Sequence, residues 1–191
     1  EDKTANVNTL NLNFQTNVGK INIVPIAITG NNVGIYLQAN GSRSAFGGNG
    51  NPVSVSFDNQ TVGDTLTVDS KVTVESRSLM RGNVEIQIFV NPALNLNLNV
   101  TTDAGSITLG ADQPATFQSI NLQTKAGTVE ATMHNATITG DLSFSTNAGS
   151  VYLGMSQNHV EGNRTVSVQS NAGSVSVDIT QTKSMNGNLQ V

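Results

Sequence analysis

Chemistry in this chain would have to come from a short roster of side chains. The histidines are His134 and His159, and the carboxylates best placed to act are Asp103, Asp112, Asp141 and Asp178. A metal needs several such groups converging, and a calcium loop needs closely spaced oxygen ligands. These residues are scattered singly, so no metal ligand is expected. Serine and histidine are present, but no nucleophile elbow, paired carboxylates or phosphate-cradling glycine loop accompanies them. With no cysteine either, no catalytic residue and no cofactor are expected, and the chain does not read as an enzyme. Lys20, Lys71, Lys125 and Lys183 could in principle form isopeptide links to buried Asn, but solvated lysines are the simpler reading.

Modification is the remaining chemistry. Asn-x-Ser/Thr acceptor sequons occur at Asn40, Asn59, Asn99, Asn135 and Asn163. Their number is what an Asn-rich chain would supply by chance. Asn40, in a Gly-rich stretch, and Asn163, in a Gly-Asn turn, are the best candidates, and Asn99 falls inside an expected strand with its side chain outward.

Composition narrows the classes further. The 191 residues are enough for a substantial core. Only 12% are charged, the net charge is -4, and aromatic residues make up 4% with no Trp, so neither a basic nucleic-acid surface nor an aromatic stacking platform is available. In strong acid the carboxylates would be protonated, and 9 Lys and Arg with 2 His would leave only mild self-repulsion. Neutral Asn, Thr and Ser hydrate a surface at any pH, which suits an exterior setting. No run of about eighteen apolar residues is present, so no transmembrane segment is expected. No charged-then-apolar leader opens the chain, which reads as a mature form.

The informative feature is a repeat. Thr102-Asp103-Ala104-Gly105-Ser106-Ile107 returns as Thr124–Val129, Thr146–Val151 and Ser170–Val175, with glycines at 105, 127, 149 and 173. Five residues before each glycine stand Val100, Leu122, Phe144 and Val168, and seven before stand Leu98, Ile120, Leu142 and Val166. Four residues after come Leu109, Ala131, Leu153 and Val177, and six after come Ala111, Met133, Met155 and Ile179. A period of two predicts strands with one buried face on either side of a positive-φ glycine. Keeping Val100 and Leu109 on one face suits a solenoid corner better than a three-residue hairpin loop. Twenty-two residues fit one β-solenoid rung, with a third short strand near Phe117, Ile138 and Val160. Thr102, Thr124, Thr146 and Ser170 would then stack as a hydroxyl ladder.

A fifth copy, Leu10–Ile23 around Gly19, opens the chain, and a half-copy surrounds Gly82. Other strand-like runs are Ile21–Ile28, Val33–Leu37, Val53–Phe57, Thr65–Val74 and Val84–Val90, with a loose Gly41–Gly50 loop. The expected fold is all-β: short repetitive strands, solenoid-like in the C-terminal half, on an irregular N-terminal β part. The alternative is a pilin-like antiparallel β-sandwich. The segments drawn are 1–16 as an N-terminal strand that could be donated, 17–92 as a β-rich N-terminal part and 93–191 as the repeat β part of the same or a second domain.

The repeated strand, Thr-x-Ala-Gly-Ser-Val corner and second strand over about residues 82–179, with the copy around Gly19, resemble the adhesin-like β-repeat domain of unknown function in bacterial and archaeal envelope proteins. That resemblance implies an exported, all-β, surface-associated protein and supplies no catalytic residues. In composition and size the chain is also similar to subunits of the thread filaments of thermoacidophilic archaea, which join by donor-strand complementation.

The functional expectation is an extracellular structural subunit that polymerises with itself into a surface filament. The N-terminal strand would be the donor, with Val7, Leu10, Leu12 and Phe14 as plugs at the subunit interface, and the outer faces would be glycosylated. The alternative is a monomeric or membrane-tethered adhesin-like module of the cell envelope that contacts surface glycans or other cells. Neither involves nucleic acid.

Overall fold

The computed structural model describes residues 7–40, 53–75, 83–181 and 187–191. The Gly41–Gly50 loop, Gly82 and Lys183 lie outside the described residues. The strands are β1 (Thr9–Pro25), β2 (Val33–Asn40), β3 (Val53–Val62), β4 (Thr65–Val74), β5 (Asn83–Val90), β6 (Asn95–Ala111), β7 (Thr116–Ala126), β8 (Val129–His134), β9 (Thr137–Ile138), β10 (Leu142–Ala148), β11 (Val151–Ser156), β12 (His159–Val160), β13 (Arg164–Ala172), β14 (Val175–Thr180) and β15 (Leu189–Gln190).

The glycine-centred copies stack as rungs of a β-solenoid. On one wall β6, β7, β10 and β13 pair in parallel, so that Leu98, Ile120, Leu142 and Val166 fall in one column. After the corner a second wall of β6, β8, β11 and β14 aligns Leu109, Ala131, Leu153 and Val177. A narrow third side stacks the start of β7 on β9 and β9 on β12, with Phe117, Ile138 and Val160 turned inward and buried. Parallel pairing at the repeat spacing excludes the antiparallel sandwich for this half.

The corner explains why glycine recurs. Gly127 has a φ of 138°, outside the range of residues with a side chain. A Cβ there would also overlap the carbonyl oxygen of Gly105 in the rung below. Beside it the expected hydroxyl ladder forms inside the corner. Thr124 Oγ1 donates to Gly105 O at 3.3 Å, Thr146 Oγ1 to Gly127 O at 3.1 Å and Ser170 Oγ to Gly149 O at 2.8 Å. Each hydroxyl thereby has a backbone carbonyl of the rung below as its acceptor, which is what makes a largely buried polar column tolerable.

The N-terminal part is more regular than expected. The first half of β1 lies between β4 and β6, parallel to both, and its second half lies between β5 and β6. β4 and β5 therefore stack on β1 in parallel as the two walls of the solenoid do, although both follow β1 in the chain. β1 also runs unbroken through the boundary drawn at residue 16. Antiparallel β3 and β2 form the outer edges beyond β4 and β5.

One interior runs through this stack, with Phe14, Phe117 and Phe144 among its largest fully buried side chains. The inward columns hold except in the last rung. There Val177 and Ile179 are each 38% exposed, because no described strand covers β14.

Candidate functional site: the outer faces of the solenoid

Inward positions are occupied by packing, so function has to reside on the outer faces. On the first wall these faces carry stacked amides. Asn97 Nδ2 donates to Asn11 Oδ1 at 2.9 Å, and Ser119 Oγ donates to Asn97 Oδ1 at 2.8 Å. In the next column Asn13 Nδ2 donates to Asp69 Oδ1 at 2.9 Å, Asn99 Nδ2 to Asn13 Oδ1 at 3.3 Å and Asn121 Nδ2 to Asn99 Oδ1 at 2.9 Å. Identical or similar polar residues at the inter-strand spacing satisfy one another, giving a face made mainly of amides that ends on the Asp69 carboxylate.

The sequon residues separate on this scaffold. Asn59, Asn135 and Asn163 are exposed, Asn135 at a corner with a φ of 55°. Asn40 ends β2, and its sequon continues beyond the described residues. Asn99 is held in the amide ladder at both its nitrogen and its oxygen.

Three of the candidate chemical residues, His134, Asp112 and Asp178, border one hollow and the others lie apart; among the described residues no three His, Asp or Glu gather closely enough to hold a metal ion. Asp103 pairs with Lys125 at 2.8 Å, with both side chains more than half exposed, a contact worth little in solvent. Asp141 Oδ1 accepts the Thr165 N–H at 2.8 Å, and His159 lies 3.7 Å from Glu161. His134 Nδ1 meets Ser156 Oγ at 2.8 Å beside a shallow hollow of about 220 Å³ that Tyr152, Asp112 and Asp178 also line. Lys20 stands opposite Glu85 in register, and Lys71 borders a hollow of about 290 Å³ with Asn13, Asp58 and Asp69.

The expected subunit-interface residues require a correction. Leu10, Leu12 and Phe14 are wholly buried in the chain's own core, and Val7 packs against it. Leu10, Leu12 and Phe14 are flanked on both sides by β4 and β6 and are not available as plugs for a neighbour, while Val7 precedes β1 and is partly buried.

Sequence reasoning passed over a second group. On β2 and β5 the apolar alternation Val33, Ile35, Leu37 and Val84, Ile86, Ile88, Val90 faces inward, which turns Tyr36 and Phe89 outward. Their rings meet edge to face with centroids 5.5 Å apart and planes at 71°. Phe89 lies opposite Gly34 in register, and a Cβ on Gly34 would come within 3.3 Å of the Tyr36 ring, so the missing side chain makes room for the pair. Tyr36, Phe89, Gln38, Gln87 and Glu85 line a cleft of about 250 Å³. The signal was present in the sequence as aromatics at polar parity in two otherwise alternating strands.

No protein-family model matches the chain, and no curated protein matches it in sequence. Among solved structures it is similar to the crystal structure of a "putative cell adhesion protein" from Clostridium sporogenes ATCC 15579. The TM-score is 0.58 at 10% identity, over 91% of this chain and 94% of that one. At that identity the likeness is one of fold, and it extends over nearly the whole solenoid.

Proposed function

We propose that the chain is a non-catalytic, adhesin-like module of the cell surface, in which the solenoid is a stiff scaffold and the outer faces make contact. The observation that carries this reading is the division of labour across the strands. Inward columns are closed by packing, while the outward columns of the first wall present mainly amides and hydroxyls and β2 and β5 add an aromatic cleft. The structural neighbour's description as a "putative cell adhesion protein" supports the same reading. Asn59, Asn135 and Asn163 are the proposed glycan attachment points. Antibody labelling of intact cells of the source organism tests the location. Surface labelling, with weaker attachment after gene deletion, is expected, whereas label only after permeabilisation would contradict it.

A second reading, assembly into a filament, draws on a different observation. Both ends of the stack expose apolar side chains that continue the inward columns: Val55 and Phe57 on β3, and Val175, Val177 and Ile179 on β14. Repeat proteins usually need a polar cap at such ends, so end-to-end association is the route open to self-assembly, in place of strand donation. Electron microscopy of native surface material distinguishes filaments one subunit wide from dispersed monomers.

A further inference from the structure

We propose that the Tyr36–Phe89 cleft is a binding site for a neutral saccharide. The inference deepens the adhesin-like reading and rests on it for its biological setting. The cleft pairs two kinds of group that sugar recognition requires. A pyranose ring has an apolar face of C–H groups, and Tyr36, 59% exposed beside the edge-to-face Phe89 ring, offers an apolar surface of matching character. A pyranose also has a rim of hydroxyls, each both donor and acceptor. Gln87 lies opposite Tyr36 and Gln38 opposite Glu85 in the β2–β5 register, so the exposed tyrosine ring has an amide directly beside it and a second amide paired with a carboxylate next along the strands. A glutamine side chain presents acceptor and donor together, as neighbouring hydroxyls demand.

The geometry is also preorganised. The cleft is built on paired strands, and Asn22 Nδ2 donates to Glu85 Oε1 at 3.3 Å, restraining the carboxylate from the adjacent strand. A volume of about 250 Å³ suits one sugar unit with room for its linkage. The lining contains one carboxylate, Glu85, and no cationic side chain; Lys20 stands opposite Glu85 on the adjacent strand but outside the lining, so uronic and sialic acids meet a carboxylate with no cationic anchor within the cleft itself. The other outward tyrosine, Tyr152, shares its hollow with His134, Asp112 and Asp178 but with no second Phe or Tyr ring.

The test is an array of neutral and anionic oligosaccharides probed with the full chain, followed by NMR titration of the strongest binder. Neutral members should bind, with shifts confined to β2 and β5 and affinities near millimolar, the weak range open to a shallow cleft. Tyr36→Ala should weaken binding about tenfold or more, the scale of losing one aromatic anchor. Gln87→Ala should weaken it while leaving thermal unfolding unchanged, and Tyr152→Ala should leave binding intact. No binding by any neutral member, retained affinity in both Tyr36→Ala and Gln87→Ala, or a preference for anionic sugars would overturn the proposal. So would a Tyr36-dependent self-association by sedimentation with no sugar binding, which would assign the cleft to a second copy of the chain. Binding on the array by a chain that proves not to be on the cell surface would leave the site standing and remove the adhesin-like reading.

Discussion

Asn17 folds its side-chain amide onto the backbone of Val74: Nδ2 donates to the Val74 carbonyl at 2.7 Å, and the Val74 N–H donates to Oδ1 at 2.9 Å. The β1–β4 ladder ends at Thr16 and Val72, and β1 takes up β5 only from Lys20, so this amide substitutes for a strand partner across the corner. Asn17→Leu would leave both backbone groups of Val74 without that partner and should cost about 1–3 kcal/mol in urea unfolding. Asn147→Ala, in the same column but with an exposed 3.4 Å contact to Asn171, should change stability by no more than about 0.5 kcal/mol. Equal costs for the two would contradict the bridging role.

The corner glycines make a sharper contrast. Gly127→Ala would combine a positive φ with overlap on the Gly105 carbonyl, and should cost more than about 3 kcal/mol or prevent folding. Gly110→Ala in β6, where a Cβ meets nothing within 4 Å, should be neutral within about 0.5 kcal/mol. Thermal unfolding of the purified variants checks both. A well-folded Gly127→Ala protein would refute the close stacking of rungs.

Deleting residues 1–14 separates an internal β1 from a donated one. Because Leu10, Leu12 and Phe14 are fully buried between β4 and β6, the truncated chain should lose cooperative unfolding and precipitate. A soluble, cooperatively folded monomer would mean that β1 is dispensable to its own subunit and free to serve another.

Glycan occupancy should follow exposure. In native material, peptide mapping is expected to find sugar on Asn59, Asn135 or Asn163 and none on Asn99, whose Nδ2 is the donor to Asn13. Modification at Asn99 would show that the amide ladder opens or forms after glycosylation.

Much of this architecture was legible because the signals were local. The columns five and seven residues before each glycine predicted that Leu98, Ile120, Leu142 and Phe144 turn inward, and parity across the corner favoured a solenoid over a hairpin while leaving the antiparallel sandwich open. Alternation reports a face, however, and not whether another rung covers it, so Val177 and Ile179 read as core yet lie exposed at the end of the stack. The position of β1 was illegible for a different reason. Leu10 pairs with Leu66 on one side and Leu96 on the other, partners separated by long stretches of chain that no short-range pattern reports. The aromatic cleft was missed because Tyr36 and Phe89 sit on separate strands and meet only through the antiparallel β2–β5 register.

Attachment under flow tests the adhesin-like reading most directly. Inert beads coated with the folded chain should be retained on intact cells or on glycan-coated glass, and Tyr36→Ala should reduce their retention. Wild-type beads that wash away as readily as beads coated with the heat-unfolded chain would contradict the account.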